Sequence, residues 1–190
     1  PYQGIVLAWH LAGLLTIPMG MGTIIAVYLT ALAIFPARPY FALAAASFAA
    51  FLPRFIISSA VINDDNLVFL LISFALYLMV RILQGHTSRR TLIALGALIG
   101  LATITKYHSI LLLGELTLIL GYVAWRKHWT WRFVLARWGW AVFFFVLTAG
   151  WWLGFVIIRF NDIAGSGLIA GLLAPFGDPV LTEGSRYLFS

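Results

Sequence analysis

Six apolar stretches, each near or beyond the length needed to cross a bilayer, follow one another with only short polar breaks between them. About 20 residues rising ~1.5 Å each cover the ~30 Å of hydrocarbon. Inside that layer the backbone must satisfy its own polar groups, so runs of this kind specify helices. Composition leaves no soluble alternative: 63% of the residues are hydrophobic and 9% charged, with a mean hydropathy of +1.00. A 190-residue soluble core could not hide that much apolar surface. We therefore expect an all-α, polytopic transmembrane helix bundle over residues 1–160. Residues 161–190 are then an extracytoplasmic loop or the start of a following segment.

The run at 5–35 is too long for one upright crossing and contains Pro18, Gly20 and Gly22. It predicts a membrane-surface or re-entrant segment over 1–11 and a span ending near Phe35. Pro36-Ala37-Arg38-Pro39 is a tight turn. One span follows over 40–62 with Pro53 and Arg54 inside it, and 67–83 is the cleanest span of all. Residues 91–105 and 109–125 form two short helices meeting at Lys106-Tyr107-His108, like the interrupted spans that build polar sites at membrane depth. The last span is 133–160, with tryptophans toward both ends. Gly96 and Gly100 make a GxxxG, a mark of close helix packing. The sequence opens at Pro1 and stops at Ser190 in loop-like residues, and so reads as a piece of a longer chain. Without cysteine there is no disulfide, thiolate metal site or cysteine nucleophile.

The net charge of +6 does not point to nucleic acid, because the basic residues cluster where apolar runs end. Arg38, the cluster from Arg81 to Arg90 and the cluster from Arg126 to Arg137 fall on one side, which the positive-inside rule makes cytoplasmic. Asp64, Asp65, Lys106, Asp162, Asp178 and Glu183 fall on the other.

Asn63-Asp64-Asp65-Asn66 carries the strongest chemistry. Two adjacent carboxylates are costly in hydrocarbon and belong at a water interface or in a polar cavity. Three roles are open to Asp64 and Asp65: ligands for a divalent metal such as Mg²⁺ or Mn²⁺, a general base, or caps for the helix starting near Asn66. Lys106 can receive a lipid phosphate or can simply snorkel to the interface. Arg54 can offer a second phosphate contact, although pairing with Asp64 or Asp65 is the more ordinary account. Glu115 lies seven residues after His108, on the same helical face, and is expected to be buried and structural. His10 and His86 read as interface residues and Asp178-Pro179 as a loop turn. No phosphate-binding glycine loop or GxSxG elbow is present.

Several of these residues resemble a known family in their order: Ala44-Ala45-Ala46 through Phe51-Leu52-Pro53, Ser58 to Leu67 with the acidic tetrad, then Gly96 to Ala102 and Thr105-Lys106-Tyr107. Together, over 28–107, they resemble the polytopic GT-C glycosyltransferases of the protein O-mannosyltransferase and aminoarabinose transferase clan, family 39-like. That resemblance implies transfer of a sugar from a polyprenyl-phosphate carrier to a protein, lipid or glycan at the extracytoplasmic face. It also implies that Asp64 or Asp65 matches the family's second-loop acidic position and that Lys106 stands near the carrier phosphate. Asn63, Arg54, Tyr107 and His108 would complete the substrate contacts. The family's usual catalytic base sits in an earlier loop, which would precede Pro1. The expected setting is a bacterial plasma membrane with the site facing outward. A secondary transporter and a non-catalytic multi-pass subunit are the competing readings.

Overall fold

A computed structural model describes the backbone of residues 2–160, and their side chains except at 2, 3, 5, 6, 8, 9, 12 and 160. The regular elements among the described residues are all helical. They are α1 (Tyr2–Ile34), α2 (Pro39–Ala50), α3 (Pro53–Ala60), α4 (Asp65–Leu83), α5 (Arg89–Thr105), a 3-10 turn (Tyr107–Ile110), α6 (Leu111–Lys127), α7 (Trp131–Phe145), a π-helical segment (Val146–Gly150) and α8 (Trp151–Phe160). Gly13–Ile34, Asp65–Leu83, Tyr107–Lys127 and Trp131–Arg159 are each long and apolar enough to cross a membrane, and the bent pair α2–α3 adds a fifth if it counts as one span. α5, with 17 residues, is a short crossing, about 25 Å long at ~1.5 Å per residue. This is an all-α, multi-pass membrane bundle. The expected loop at 161–190, with Asp162, Asp178 and Glu183, lies outside the described residues.

Three details differ from expectation. Pro18 does not divide α1, which runs unbroken from Tyr2 through the residues expected to lie at the surface. A proline withholds one hydrogen bond, whereas a helix ending within hydrocarbon strands several groups, so continuity is the cheaper arrangement. Pro53, by contrast, does divide 40–62: α2 and α3 meet at 59°. There Leu52 is extended, as the residue before a proline prefers, and Pro53 opens α3. The amides of Phe51 and Leu52 close the end of α2 on the carbonyls of Ser47 and Ala49. The third difference follows Lys106, where the 3-10 turn and α6 join into a full-length crossing rather than a half-length one.

The chain divides into units at Pro1–Thr148 and Ala149–Ser190. In the second, Trp152 stacks on Phe155 with centroids 6.0 Å apart. In the first, α1 packs along α2 and α4, and α5 packs on α4 and α7. Val68, Leu71, Ala75, Met79 and Ile82 form the buried stripe of α4, and Leu112, Leu116, Leu120 and Val123 that of α6. Their spacing of three and four selects one helix face. Outside those stripes Leu76 of α4 and Leu111 and Leu118 of α6 are exposed, suited to lipid rather than water.

The GxxxG of α5 sits at a close approach to the chain of α7 and the π-helical segment after it. A Cβ on Gly96 would collide with the backbone carbonyl of Ala141, and one on Gly100 with the Thr148 hydroxyl. That hydroxyl already donates to Phe144 O at 2.8 Å.

Chain reversals sort to two ends. The Gln84 side-chain amide donates to the Ala33 carbonyl, a Cβ on Gly85 would lie 2.6 Å from Lys127 Nζ, and Arg89 stacks 3.4 Å over the Trp140 ring. The reversals carrying Arg38, His86 and Lys127 therefore share one end. Residues 61–64 and Lys106 mark the other, since α4 and the Tyr107–Lys127 span each cross the bundle.

Gly96→Ala should force α5 and α7 apart and lower stability by about 1–3 kcal/mol, the usual range for overpacking. Gly114→Ala, where nothing lies within 4 Å of the added methyl, is the control. Melting temperature of the solubilised protein is the measurement, and equal melting of the two variants would refute the close approach.

Candidate functional site

The end opposite the basic turns gathers the polar residues singled out by sequence. Lys106 sits where α5 stops; its backbone is extended, and its amide closes the helix on Ala102 O at 2.7 Å. Its side chain reaches across to the start of α4. There the ammonium donates to Asp65 Oδ1 and lies 3.7 Å from Asp64 Oδ2. Lys106 and Asp65 are 28% and 26% exposed and Asp64 is 58% exposed, so the trio is anchored on the protein side and open on the other.

The four residues of the tetrad divide the work. Asn63 Oδ1 accepts from the Asn66 amide at 3.3 Å, and Asn66 Nδ2 donates to Val61 O at 2.9 Å. The two amides thus build the turn into α4. Asp64 occupies the cap position but makes no side-chain cap hydrogen bond. The capping role considered for the carboxylates belongs to Asn63, because the aspartates are drawn to the ammonium. Asn63 is a structural residue here as well as a neighbour of the site.

The hydrogen bond to Asp65 does most to hold the Lys106 pKa above its ordinary 10.5; burial opposes this and the Asp64 charge adds to it. The ammonium's contribution to folding is complete below the ordinary lysine value and is lost as pH climbs through the raised one. Over any neutral range Lys106 is a fixed cation.

Among the described residues none of the remaining candidates makes an ion pair or side-chain hydrogen bond with this trio. Tyr107 and His108 lie in the exposed 3-10 turn directly after Lys106. Arg54, in the first turn of α3, is exposed and makes no ion pair among the described residues, so the expected pairing with Asp64 or Asp65 is not formed. Glu115 is exposed on α6 rather than buried. The buried stripe of α6 runs through Leu112, Leu116 and Leu120, and Glu115 falls outside it.

Two polar atoms near the site are buried, and of their two residues only Ser109 was not singled out by sequence. Asn66 Oδ1 and Ser109 Oγ have no hydrogen-bond partner among the described residues. Ser109 is tied to the lysine turn by its amide, which donates to Lys106 O at 3.0 Å. Its position three residues past Lys106 was the available signal. An apolar groove of about 660 Å³ adjoins the acidic turn, lined by His10, Gly13 and Leu14 of α1 and by Ala60, Val61 and Ile62.

The fit to a metal is poor. Among the described residues no three His, Cys, Asp or Glu side chains come together. A divalent ion at the pair would have to displace the ammonium from Asp65 and find its other ligands elsewhere.

Comparison with curated proteins and with solved structures gave no match. The family profile described as dolichyl-phosphate-mannose-protein mannosyltransferase does match, over residues 8–153, a stretch that contains both the acidic tetrad and Lys106. This all-α membrane chain belongs to the dolichyl-phosphate-mannose-protein mannosyltransferase family.

Proposed function

We propose that the chain is part of a membrane glycosyltransferase that takes a sugar from a polyprenyl-phosphate carrier and passes it to an acceptor hydroxyl at the Lys106 end of the bundle. Family membership supports glycosyl transfer of the mannosyltransferase kind. The observation that carries the finer reading is the partly exposed ammonium of Lys106, pinned by Asp65 at the membrane boundary.

In the transfer, the acceptor oxygen bonds to the anomeric carbon as the bond from that carbon to the phosphate oxygen breaks. The departing phosphate gathers negative charge, and a pre-placed cation lowers the barrier by meeting it. Lys106 has three donors, of which Asp65 takes one, leaving the others for phosphate oxygens. Asp65 is thus a positioning residue. The trio alone carries one net negative charge, so exposed Arg54 is assigned as the second cation that makes a phosphate welcome. Asp64, the most exposed of the three, is the carboxylate open to a hydroxyl of sugar or acceptor, where it would accept a proton or a hydrogen bond. The carrier's hydrocarbon chain suits the apolar groove beside the acidic turn. In a bacterial plasma membrane, with the basic turns inside, this end faces outward. The acceptor is then a protein, lipid or glycan presented from that side. Mg²⁺ or Mn²⁺ would have to compete with Lys106 for Asp65, so the lysine is assigned to meet the charge of the departing phosphate.

The amides and carboxylates of the tetrad should separate experimentally in the full-length enzyme. Asn63→Ala removes the cap and should cost about 1 kcal/mol of stability with turnover kept. Asp65→Asn should retain the fold but lower kcat/KM for the polyprenyl-phosphate sugar by about 10- to 100-fold, as a misplaced electrostatic group does. Transfer surviving intact in Asp65→Asn would remove the pair from the mechanism.

Lys106→Ala should reduce kcat/KM for the lipid-linked donor by about 10²-fold or more, with partial recovery in Lys106→Arg. Steady-state kinetics against donor concentration decide this. An unchanged dependence on donor would show that the lysine only snorkels.

A further inference from the structure

At the opposite end, the reversal between α6 and α7 carries a shallow, open cleft that the transfer reaction does not use. It has a volume of about 570 Å³ and its walls include Trp125, His128, Trp129, Trp131 and Leu135. His128 turns the chain with φ 51, which brings the start of α7 back beside the end of α6. Trp125 and Trp131 are 75% and 67% exposed.

The cations here are held by rings. Lys127 Nζ is 5.9 Å from the centroid of Trp129, Arg132 Cζ 5.5 Å from Trp131, and Arg137 Cζ 5.7 Å from Trp129 and 4.5 Å from Phe133. Two of those rings, Trp129 and Trp131, are walls of the cleft. A guanidinium stacked by its face keeps its N–H edge free, and that edge is the part that grips a phosphate. Arg137 is held by two rings, Trp129 and Phe133, and its buried Nη1 has no hydrogen-bond partner among the described residues.

Among the described residues no carboxylate balances these charges. The acidic side chains among the described residues are Asp64 and Asp65, at the other end, and Glu115, partway along α6. The ion pairs among the described residues both belong to Lys106. Topology accounts for basic residues at this end, but it does not require aromatic walls with cations laid on them. Both elements flanking the cleft are ends of candidate membrane spans, Tyr107–Lys127 and Trp131–Arg159, which puts it level with lipid head groups.

We propose that this cleft binds the head group of an anionic phospholipid from the leaflet at the basic end. The phosphate lies against Arg132, Arg137 and Lys127, while the glycerol and upper acyl carbons rest on the tryptophan walls. The partner is the membrane's own lipid, and the site is independent of the sugar-transfer reading.

Native mass spectrometry of the detergent-solubilised protein tests this, with palmitoyl-oleoyl phosphatidylglycerol as probe and phosphatidylcholine of the same chains as reference. At about 1 kcal/mol per basic residue near the surface, wild type should retain the anionic lipid at least tenfold more tightly, and Lys127→Gln/Arg132→Gln/Arg137→Gln should fall to within about twofold. The control, Arg89→Gln/Arg90→Gln, removes charge from the same end but from another helix and should keep the preference. Equal loss in the control would show diffuse surface charge and overturn the proposal. So would displacement of the lipid by millimolar inorganic phosphate, which would identify a soluble-anion site. If the triple variant does not fold, exposed Arg132→Gln alone should still lower the preference by about fivefold, and an unchanged preference there is equally fatal.

Discussion

A helix that stops inside hydrocarbon leaves its last carbonyls and first amides without partners, and no water can reach them. That constraint arranges the molecule. Reversals are driven to the two ends of the bundle, and with them go the polar residues that reversals need. The turns carrying Arg38, His86 and Lys127 meet at one end, while the acidic turn and Lys106 meet at the other. Chemistry confined to two planes is concentrated there. Residues 41 positions apart in sequence, Asp65 and Lys106, become hydrogen-bonded because neither had another layer to occupy.

The pair at the acidic end is better understood as a positioning device than as a source of stability. Ion pairs that are partly withdrawn from water lose in desolvation much of what they gain in attraction. What Asp65 does for Lys106 is fix it. A lysine side chain has several rotatable bonds and ordinarily samples a broad volume, but one strong acceptor reduces that to a small arc with donors to spare. The arrangement works because Asn63 and Asn66 take over the backbone duties of the turn. Had the carboxylates been needed as caps, the ammonium would have been left to the interface.

Much of this was legible in the sequence, and what escaped it shares a cause. Hydropathy marks spans well because the bilayer penalises polar residues wherever they sit, so the helical class, the turn at Pro36 to Pro39 and the Lys106 break read directly. The packing role of Gly96 did too, since only glycine permits a backbone to meet the Ala141 carbonyl. Prolines were ambiguous. Pro18 and Pro53 look alike in a list of residues, yet one is absorbed by a long helix packed on α4 and the other falls at the closed end of a 12-residue helix, next to an arginine that seeks water. Side-chain duties were ambiguous for the same reason. Asp64 and Asn63 both make good caps, and the choice between them depends on a lysine forty residues away. The exposure of Glu115 is also set by which face of α6 its neighbours cover, which no local pattern records.

The two ends answer the problem of a membrane-bound cation in opposite ways. Lys106 is met by carboxylates, so an incoming phosphate must compete with Asp65 or share the ammonium with it. Such a site would release its anion readily, which the proposed transfer requires at every turnover. The cations around Trp129 and Trp131 are met by ring faces, which stabilise the charge without occupying its hydrogen-bond donors. A phosphate arriving there displaces nothing and gains every contact, so it should stay. Carboxylate-held and ring-held cations in one small bundle are thus suited to different lifetimes of the same ligand chemistry, exchange at one membrane boundary and residence at the other.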